Sequence, residues 1–141
     1  MQPTLLIGDQ FVIDKNYYRH QPVARNDLVV MRRNDYQTVK RVVAVSGDTI
    51  AGKNRKIVVN GQLAEEQFIL HSLPAGTNPE LDSFGPVAIP AGKYFVMGNN
   101  RGVSLDSRTP DFGLVDAGAI VGKPLYIYRS PMKARVGKKL D

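Results

Sequence analysis

Two stretches of this chain hold residue types that can do chemistry. The first is residues 38–45, a run of β-branched residues that carries Lys40 and Arg41. Strand alternation sets Thr38, Lys40, Val42 and Ala44 on one face and Val39, Arg41, Val43 and Val45 on the other. Both faces are largely apolar, so the strand is expected to be covered, at least in part, on both sides. A lysine among valines loses hydration, and desolvation favours its neutral amine. To act as a general base near neutrality its pKa must fall from about 10.4 to ~7–8, a change of ~4 kcal/mol that burial can supply. The same residue also fits an ordinary sheet-edge lysine, its stem packed and its ammonium in water. The second stretch is Gly98-Asn99-Asn100-Arg101-Gly102-Val103-Ser104-Leu105-Asp106-Ser107-Arg108. If the chain is extended from Ser104 onward, Ser104, Asp106 and Arg108 project to one side. Asp106 and Arg108 can then pair, with the Ser104 hydroxyl beside them, which is a ready support for a cation. A Gly/Asn-rich surface loop with an exposed ion pair is the other reading of these residues.

Other chemistries are poorly supplied. The chain has no cysteine, which removes disulfides, thiolate zinc sites and cysteine nucleophiles. Its two histidines, His20 and His71, stand near no second ligand type at a metal-binding spacing, so no metal site is expected. Ala51-Gly52-Lys53 lacks the rest of a phosphate-binding loop and reads as a turn; no cofactor is expected. Glu65-Glu66 and Asp27 are isolated acids with no partner readable from sequence. Acyl transfer stays open, because a lysine can replace histidine as the base.

The elements that must position Lys40 and the 98–108 loop are strands. With 141 residues the chain is one domain, long enough to bury a core. Hydrophobic residues at 43% and charged residues at 23% exclude wholesale disorder. Apolar runs at 11–13, 28–31, 38–45, 57–59, 94–97 and 125–128 read as strands, and Asn60-Gly61 is a hairpin signal leading into Gln62-Leu63. Pro-Ala-Gly at 74–76 and 90–92 marks turns, and residues 71–90 read as a surface excursion. Only residues 116–120 hint at a helical turn. The expected architecture is mainly β with little helix, as coiled antiparallel sheets or a small barrel. Tyr17, Tyr18, Tyr94, Phe95, Tyr126 and Tyr128 are expected in the sheet core and at interfaces.

The net charge of +6 speaks about partners rather than fold. Nucleic acid, an anionic membrane surface and a solvated basic tail all fit it. Five of the 19 basic residues (Arg129, Lys133, Arg135, Lys138, Lys139) fall within 129–141, opposed only by Asp141, so the surplus is partly a property of that tail. A nucleic-acid-binding barrel would need its charge gathered on one face, and no basic-aromatic motif is present, so no nucleic-acid partner is expected. No run approaches the ~18 apolar residues of a membrane span, and no signal peptide heads the chain. The apolar start at Met1 reads like a domain cut at its upstream edge.

Four segments in order resemble the bacterial type I signal peptidases. Met1-Gln2-Pro3-Thr4-Leu5 with Gly8-Asp9 is similar to the family's first box without its leading serine. Asn26-Asp27-Leu28-Val29-Val30 is similar to the next. Val39-Lys40-Arg41-Val42-Val43 with Gly47-Asp48 resembles the box that holds the general-base lysine. Residues 98–108 resemble the Gly-Asp-Asn-Arg-x-x-Ser-x-Asp-Ser-Arg box, departing from it at Asn99, where the family usually has Asp, and at Gly102-Val103.

The resemblance implies a single catalytic domain that removes signal peptides from exported preproteins with a Ser/Lys dyad. Lys40 would be the general base, Ser104 would orient it, and Asp106 and Arg108 would support that loop. The serine nucleophile is expected immediately before Met1, so the chain as given would be inactive. Substrate would lie as a strand beside Gln37, Thr38 and Val39, with Met1, Leu5, Val30 and Leu105 lining its pockets. The native protein would be membrane-anchored, with this domain on the extracytoplasmic face of the bacterial cytoplasmic membrane. Apolar residues near 1–7 would touch the bilayer, while the chain itself is soluble. The alternative is an inactive homologue that binds exported peptides or assists pilus assembly.

Overall fold

The computed structural model describes residues 1–140; Asp141, counted above with the basic tail, lies outside the described residues. The first strands are β1 (Gln10–Asp14), β2 (Leu28–Arg33), β3 (Tyr36–Ala44), β4 (Thr49–Lys53) and β5 (Lys56–Val59). They are followed by β6 (Gln62–Leu63), β7 (Phe84–Ala88), β8 (Lys93–Met97), β9 (Val115–Asp116) and β10 (Ile120–Arg129). Helix is confined to single turns, α1 (Tyr17–His20), α2 (Pro79–Asp82) and the 3₁₀ turns Ala117–Ala119 and Lys133–Arg135. None is long and apolar enough to cross a membrane. Turn chemistry sets the hairpins. Asn60 and Gly61 both take positive φ, 52° and 78°, as a type I′ turn requires, and join β5 to β6.

The strands form two open antiparallel sheets, ordered β1-β10-β2-β3-β8-β9 and β6-β5-β4-β7. Neither closes into a barrel. The large sheet ends in β9, which has two residues, too short an edge to carry a ladder round to β1. The sheets meet over a core of Val43, Ala44, Ile50, Ile57, Val59, Ile89, Phe95 and Met97. Each fully buried side chain of this size contributes ~1.5–3 kcal/mol. A second cluster, Val29, Met31, Val42, Val96, Phe112 and Val115, lies against the large sheet.

Three local expectations are corrected. A β-bulge in β3, between the pairs Val42↔Val96 and Ala44↔Phe95, inserts one residue and breaks the alternation. Ala44 therefore packs with Val43 rather than with Val42. Ala51-Gly52-Lys53 is not a turn but the end of β4. Gly52 is there to make room across the sheet: a Cβ on it would stand 2.3 Å from the ring of Phe84, which stacks on Phe95. The excursion expected over 71–90 gives way at Phe84 to β7, which pairs with β4. Of the aromatic residues, Phe95 is buried, whereas Tyr126 and Tyr128 are exposed on β10.

The basic C-terminal segment folds back on the sheet. Leu140 is buried with Leu5, Leu28 and Ile127, and its N–H donates to the Leu125 carbonyl (2.8 Å). Arg135 pairs with the buried Asp9 (2.6 Å) and donates to the Thr4 carbonyl (2.8 Å), tying this segment to the N-terminal one. Hydrogen bonding from Arg135 holds the Asp9 carboxyl down at about 2. A carboxyl depressed on folding contributes stability that is complete above its unfolded pKa of about 4 and is lost as pH falls through its folded value. The acid limb of a melting-temperature profile should therefore steepen between pH 4 and 2, and Asp9→Asn should flatten it. An identical limb in the variant would show that this pair does not hold the segment.

Candidate active site

β3 carries Lys40 to the end of an open edge. β2 pairs with β3 from Tyr36 to Arg41, but β8 joins its other side only from Arg41 onward. Among the described residues nothing pairs with residues 36–40 on that side, so their backbone groups face a cleft. Beyond β8 the chain turns at Gly98 and returns past Lys40, and Lys40 Nζ donates to Ser104 Oγ at 2.9 Å. The two side chains come from positions 64 residues apart.

Gly98 is what allows this approach. A Cβ there would lie 2.1 Å from Ser104 Oγ and 3.7 Å from Lys40 Nζ. Any side chain would have to displace the serine. Gly98→Ala should fold but break the Lys40–Ser104 contact, which a crystal structure or the Lys40 amine titration would reveal. An unchanged 2.9 Å contact in the variant would show that the glycine is incidental.

Asp106 and Arg108 stand behind this pair. Arg108 Nε donates to Asp106 Oδ1 (2.8 Å) and Nη2 to Oδ2 (2.9 Å), with side chains 2% and 0% exposed. The second carboxylate oxygen also accepts the Gly98 N–H (2.9 Å). The segment is a turn rather than an extended run, because the Asp106 carboxylate also accepts the Arg108 N–H (3.3 Å) and the Asp106 carbonyl accepts the Thr109 N–H (2.9 Å). Burial works to raise the Asp106 carboxyl, but hydrogen bonding and attraction from Arg108 outweigh it and hold the pKa below the ordinary range.

Burial is also the main influence on Lys40, lowering its pKa; Asp106 works against that and Arg108 with it, and the net result lies below the usual amine value. The ring of Phe112, 5.6 Å from Nζ, forms part of the low-dielectric surroundings, itself held by Arg33 stacked at 4.1 Å and bonded to the Phe112 carbonyl. The amino group of Met1 is half-buried and its pKa is lowered, first by burial and then by the positive charge of Lys40.

A cleft of about 620 Å³ opens over these residues. Met1, Leu5, Gln37, Thr38, Val39, Lys40, Ser104 and Leu105 line it, as the sequence-based reading places them. Val30 does not. It is 2% exposed, paired in register with Val39 inside the sheet, and never reaches the cleft wall. The lining also includes Leu6, Ile7, Phe11, Asn100 and Val103, which the sequence-based reading does not place in the substrate cleft. Asn99, in the position where an acid was the norm for the resemblance, accepts from Arg41 Nε (3.1 Å) and donates to Thr4 Oγ1 (2.7 Å). An amide can serve both neighbours, because it carries a donor as well as an acceptor. The acids Asp27 and Glu66, isolated in sequence, pair with Lys123 and Arg101. No group of three or more His, Asp or Glu side chains able to hold a metal occurs among the described residues.

Comparison with known proteins identifies the family. The family described as Signal peptidase, peptidase S26, matches residues 1–129. Signal peptidase I S of Bacillus subtilis is 33% identical over 132 residues, spanning 91% of this chain and 71% of that protein. Signal peptidase IB of Staphylococcus aureus is 37% identical over 137 residues, spanning 87% and 70%. The crystal structure of a signal peptidase I from Enterococcus faecalis shares the fold, with a TM-score of 0.61 at 24% identity over 73% of this chain and 97% of that one. The chain belongs to the signal peptidase family and, within it, to the bacterial type I enzymes.

Proposed function

We propose that this chain is the catalytic part of a serine endopeptidase that removes N-terminal signal peptides from exported preproteins. The observation that carries the reading is the half-buried Lys40, bonded to Ser104 at the end of an open strand edge. The substrate adds as an extended strand along residues 37–39, using backbone hydrogen bonds. Its small side chains before the scissile bond enter shallow pockets walled by Met1, Leu5 and Leu105. The nucleophile is a serine directly preceding Met1, in the space where the Met1 amino group feels Lys40.

The neutral Lys40 amine takes the proton from that serine as its oxygen attacks the scissile carbonyl carbon. Lys40 then gives the proton to the departing amine as the C–N bond breaks, leaving an acyl-enzyme. Water, deprotonated by the same amine, attacks the ester and restores the serine. Ser104 holds the Lys40 nitrogen in line, and the backbone N–H of the nucleophilic serine is one donor to the oxyanion. Ile7, Val103 and Leu105, 91%, 61% and 55% exposed, stand at or beside the cleft rim. They meet the bilayer of an anchored enzyme acting on the extracytoplasmic face of the bacterial cytoplasmic membrane.

The test is a pair of chains, one with serine and one with alanine before Met1, given a preprotein or signal-peptide substrate. Cleavage by the serine form alone supports the reading. Cleavage by residues 1–141 without that serine would make Ser104 the nucleophile. Binding without cleavage by either form would favour a peptide-binding homologue, of the kind that could assist pilus assembly.

A further inference from the structure

The segment between β6 and β7 lies across the 98–108 loop as a strap. The Leu70 N–H donates to the Asn99 carbonyl and the Arg101 N–H to the Leu70 carbonyl, both at 2.7 Å. Ser72 Oγ donates to Asn100 Oδ1 (2.8 Å), and Asn78 Nδ2 donates to the Gly102 carbonyl (3.1 Å). Arg108 Nη1 reaches the Leu81 carbonyl (3.1 Å). Gly102 has no room for a side chain to spare: a Cβ there would meet Leu73 at 3.2 Å.

At the start of the strap, Glu66 receives both terminal nitrogens of Arg101, Nη1 at 2.8 Å and Nη2 on its other oxygen. The pair is 11% and 2% exposed. Arg101 joins the two ends of the loop. Its Nε donates to the Gly98 carbonyl (3.1 Å) and its own carbonyl accepts from Arg108 Nη2 (2.8 Å). Gly98 is the surface on which Ser104 sits, and Arg108 is the partner of Asp106.

We propose that Glu66 is a positioning residue for the base: by fixing the Arg101 guanidinium it sets the Gly98 carbonyl, and with it the seat from which Ser104 holds Lys40. This rests on the assignment of Lys40 as base. Without the Glu66 charge, Arg101 becomes an unpaired buried cation, and it leaves Gly98 to reach water. The loop then loosens and water enters beside Lys40. Two effects on the Lys40 amine oppose each other in sign. Loss of a distant negative charge lowers its pKa slightly, whereas hydration raises it.

The experiment is an NMR titration of the Lys40 side chain in the parent chain, Glu66→Gln and Glu66→Asp, beside steady-state kinetics of the same variants preceded by serine. Glu66→Gln keeps the shape and removes the charge. It should raise the Lys40 pKa by about one unit and lower kcat near neutrality ~10-fold, with KM within ~2-fold. Glu66→Asp, which keeps the charge, should restore part of both. A lower melting temperature with the Lys40 titration and the pH–kcat profile unmoved would overturn the proposal, leaving Glu66 a structural brace. A fall in the Lys40 pKa would overturn it too, in favour of direct electrostatics. Should Glu66→Gln fail to fold, Glu66→Asp decides: one methylene short of holding both Arg101 nitrogens in place, it should raise the Lys40 pKa by less than about one unit, and a titration unmoved from the parent's would overturn the proposal. An ordinary amine pKa in the parent chain would bring down the base assignment, and this inference with it.

Discussion

In a chain whose Met1 is preceded by serine, Lys40→Ala should lower kcat/KM by ~10²–10⁴-fold, the usual contribution of a positioned acid–base group. Lys40→Arg should be as poor, because a guanidinium stays protonated. The parent enzyme should lose activity as pH falls below the Lys40 pKa, which burial has brought beneath the ordinary lysine value. This group's contribution to stability should follow pH in the same direction as activity. A lysine whose pKa is depressed on folding destabilises the native state at every pH below its folded value, and this cost fades as pH rises toward the unfolded value near 10.4. Lys40→Met keeps the apolar stem and removes the buried amine, so it should melt higher than the parent at neutral pH while being inactive. A variant that loses stability and keeps activity would refute both halves. Ser104→Ala should resemble Lys40→Ala in rate while leaving the apolar surroundings in place.

The second large effect concerns the pair behind the base. Asp106→Asn and Arg108→Ala should each cost on the order of 3–5 kcal/mol in denaturant melts, because each leaves its partner charged, buried and unpaired. Exposed pairs lose under about 1 kcal/mol, but the two side chains here are 0% and 2% exposed. Arg108→Ala also strips donors from the Arg101 and Leu81 carbonyls. The double replacement should cost less than the sum of the singles, since neither charge is then left behind. Asp106→Asn should lower the Lys40 pKa further, because the Asp106 carboxylate is what raises it. Losses below ~1 kcal/mol in both singles, with activity unchanged in the serine-preceded enzyme, would mean that this loop is ordinary surface.

Much of the framework is written in short-range patterns. Valines around Lys40 signal a desolvated amine, because neighbours in a strand are covered or exposed together. Asn60-Gly61 marks its hairpin because two consecutive left-handed residues are cheap only for such side chains. Asp106 and Arg108 pair as their spacing predicts, although the chain there is a turn and not the extended run expected. Their pairing survives that error because an i, i+2 separation is within side-chain reach in either conformation. The loop's composition also marks it as a place where the backbone bends closely.

What no local pattern contains is which distant segment meets which. The Lys40–Ser104 contact was legible only through resemblance, and the Glu66–Arg101 pair, 35 residues apart, was not legible at all. Val30 misses the cleft because it sits on β2, covered between β10 and β3, one strand in from the open edge that carries its partner Val39. Gly52 and Gly98 look alike in sequence to glycines of any turn. Only the packed structure shows that one yields space to Phe84 and the other to Ser104. The bulge in β3 likewise depends on how β8 docks. The sequence by itself determined the residue types of the site, the β-rich elements and their turns, since these follow from side-chain chemistry and backbone preference over a few residues. The tertiary structure decided the strap, the return of the C-terminal segment onto Leu5 and Leu28, and the seat of Ser104, because each depends on the burial and register of segments brought together from far along the chain.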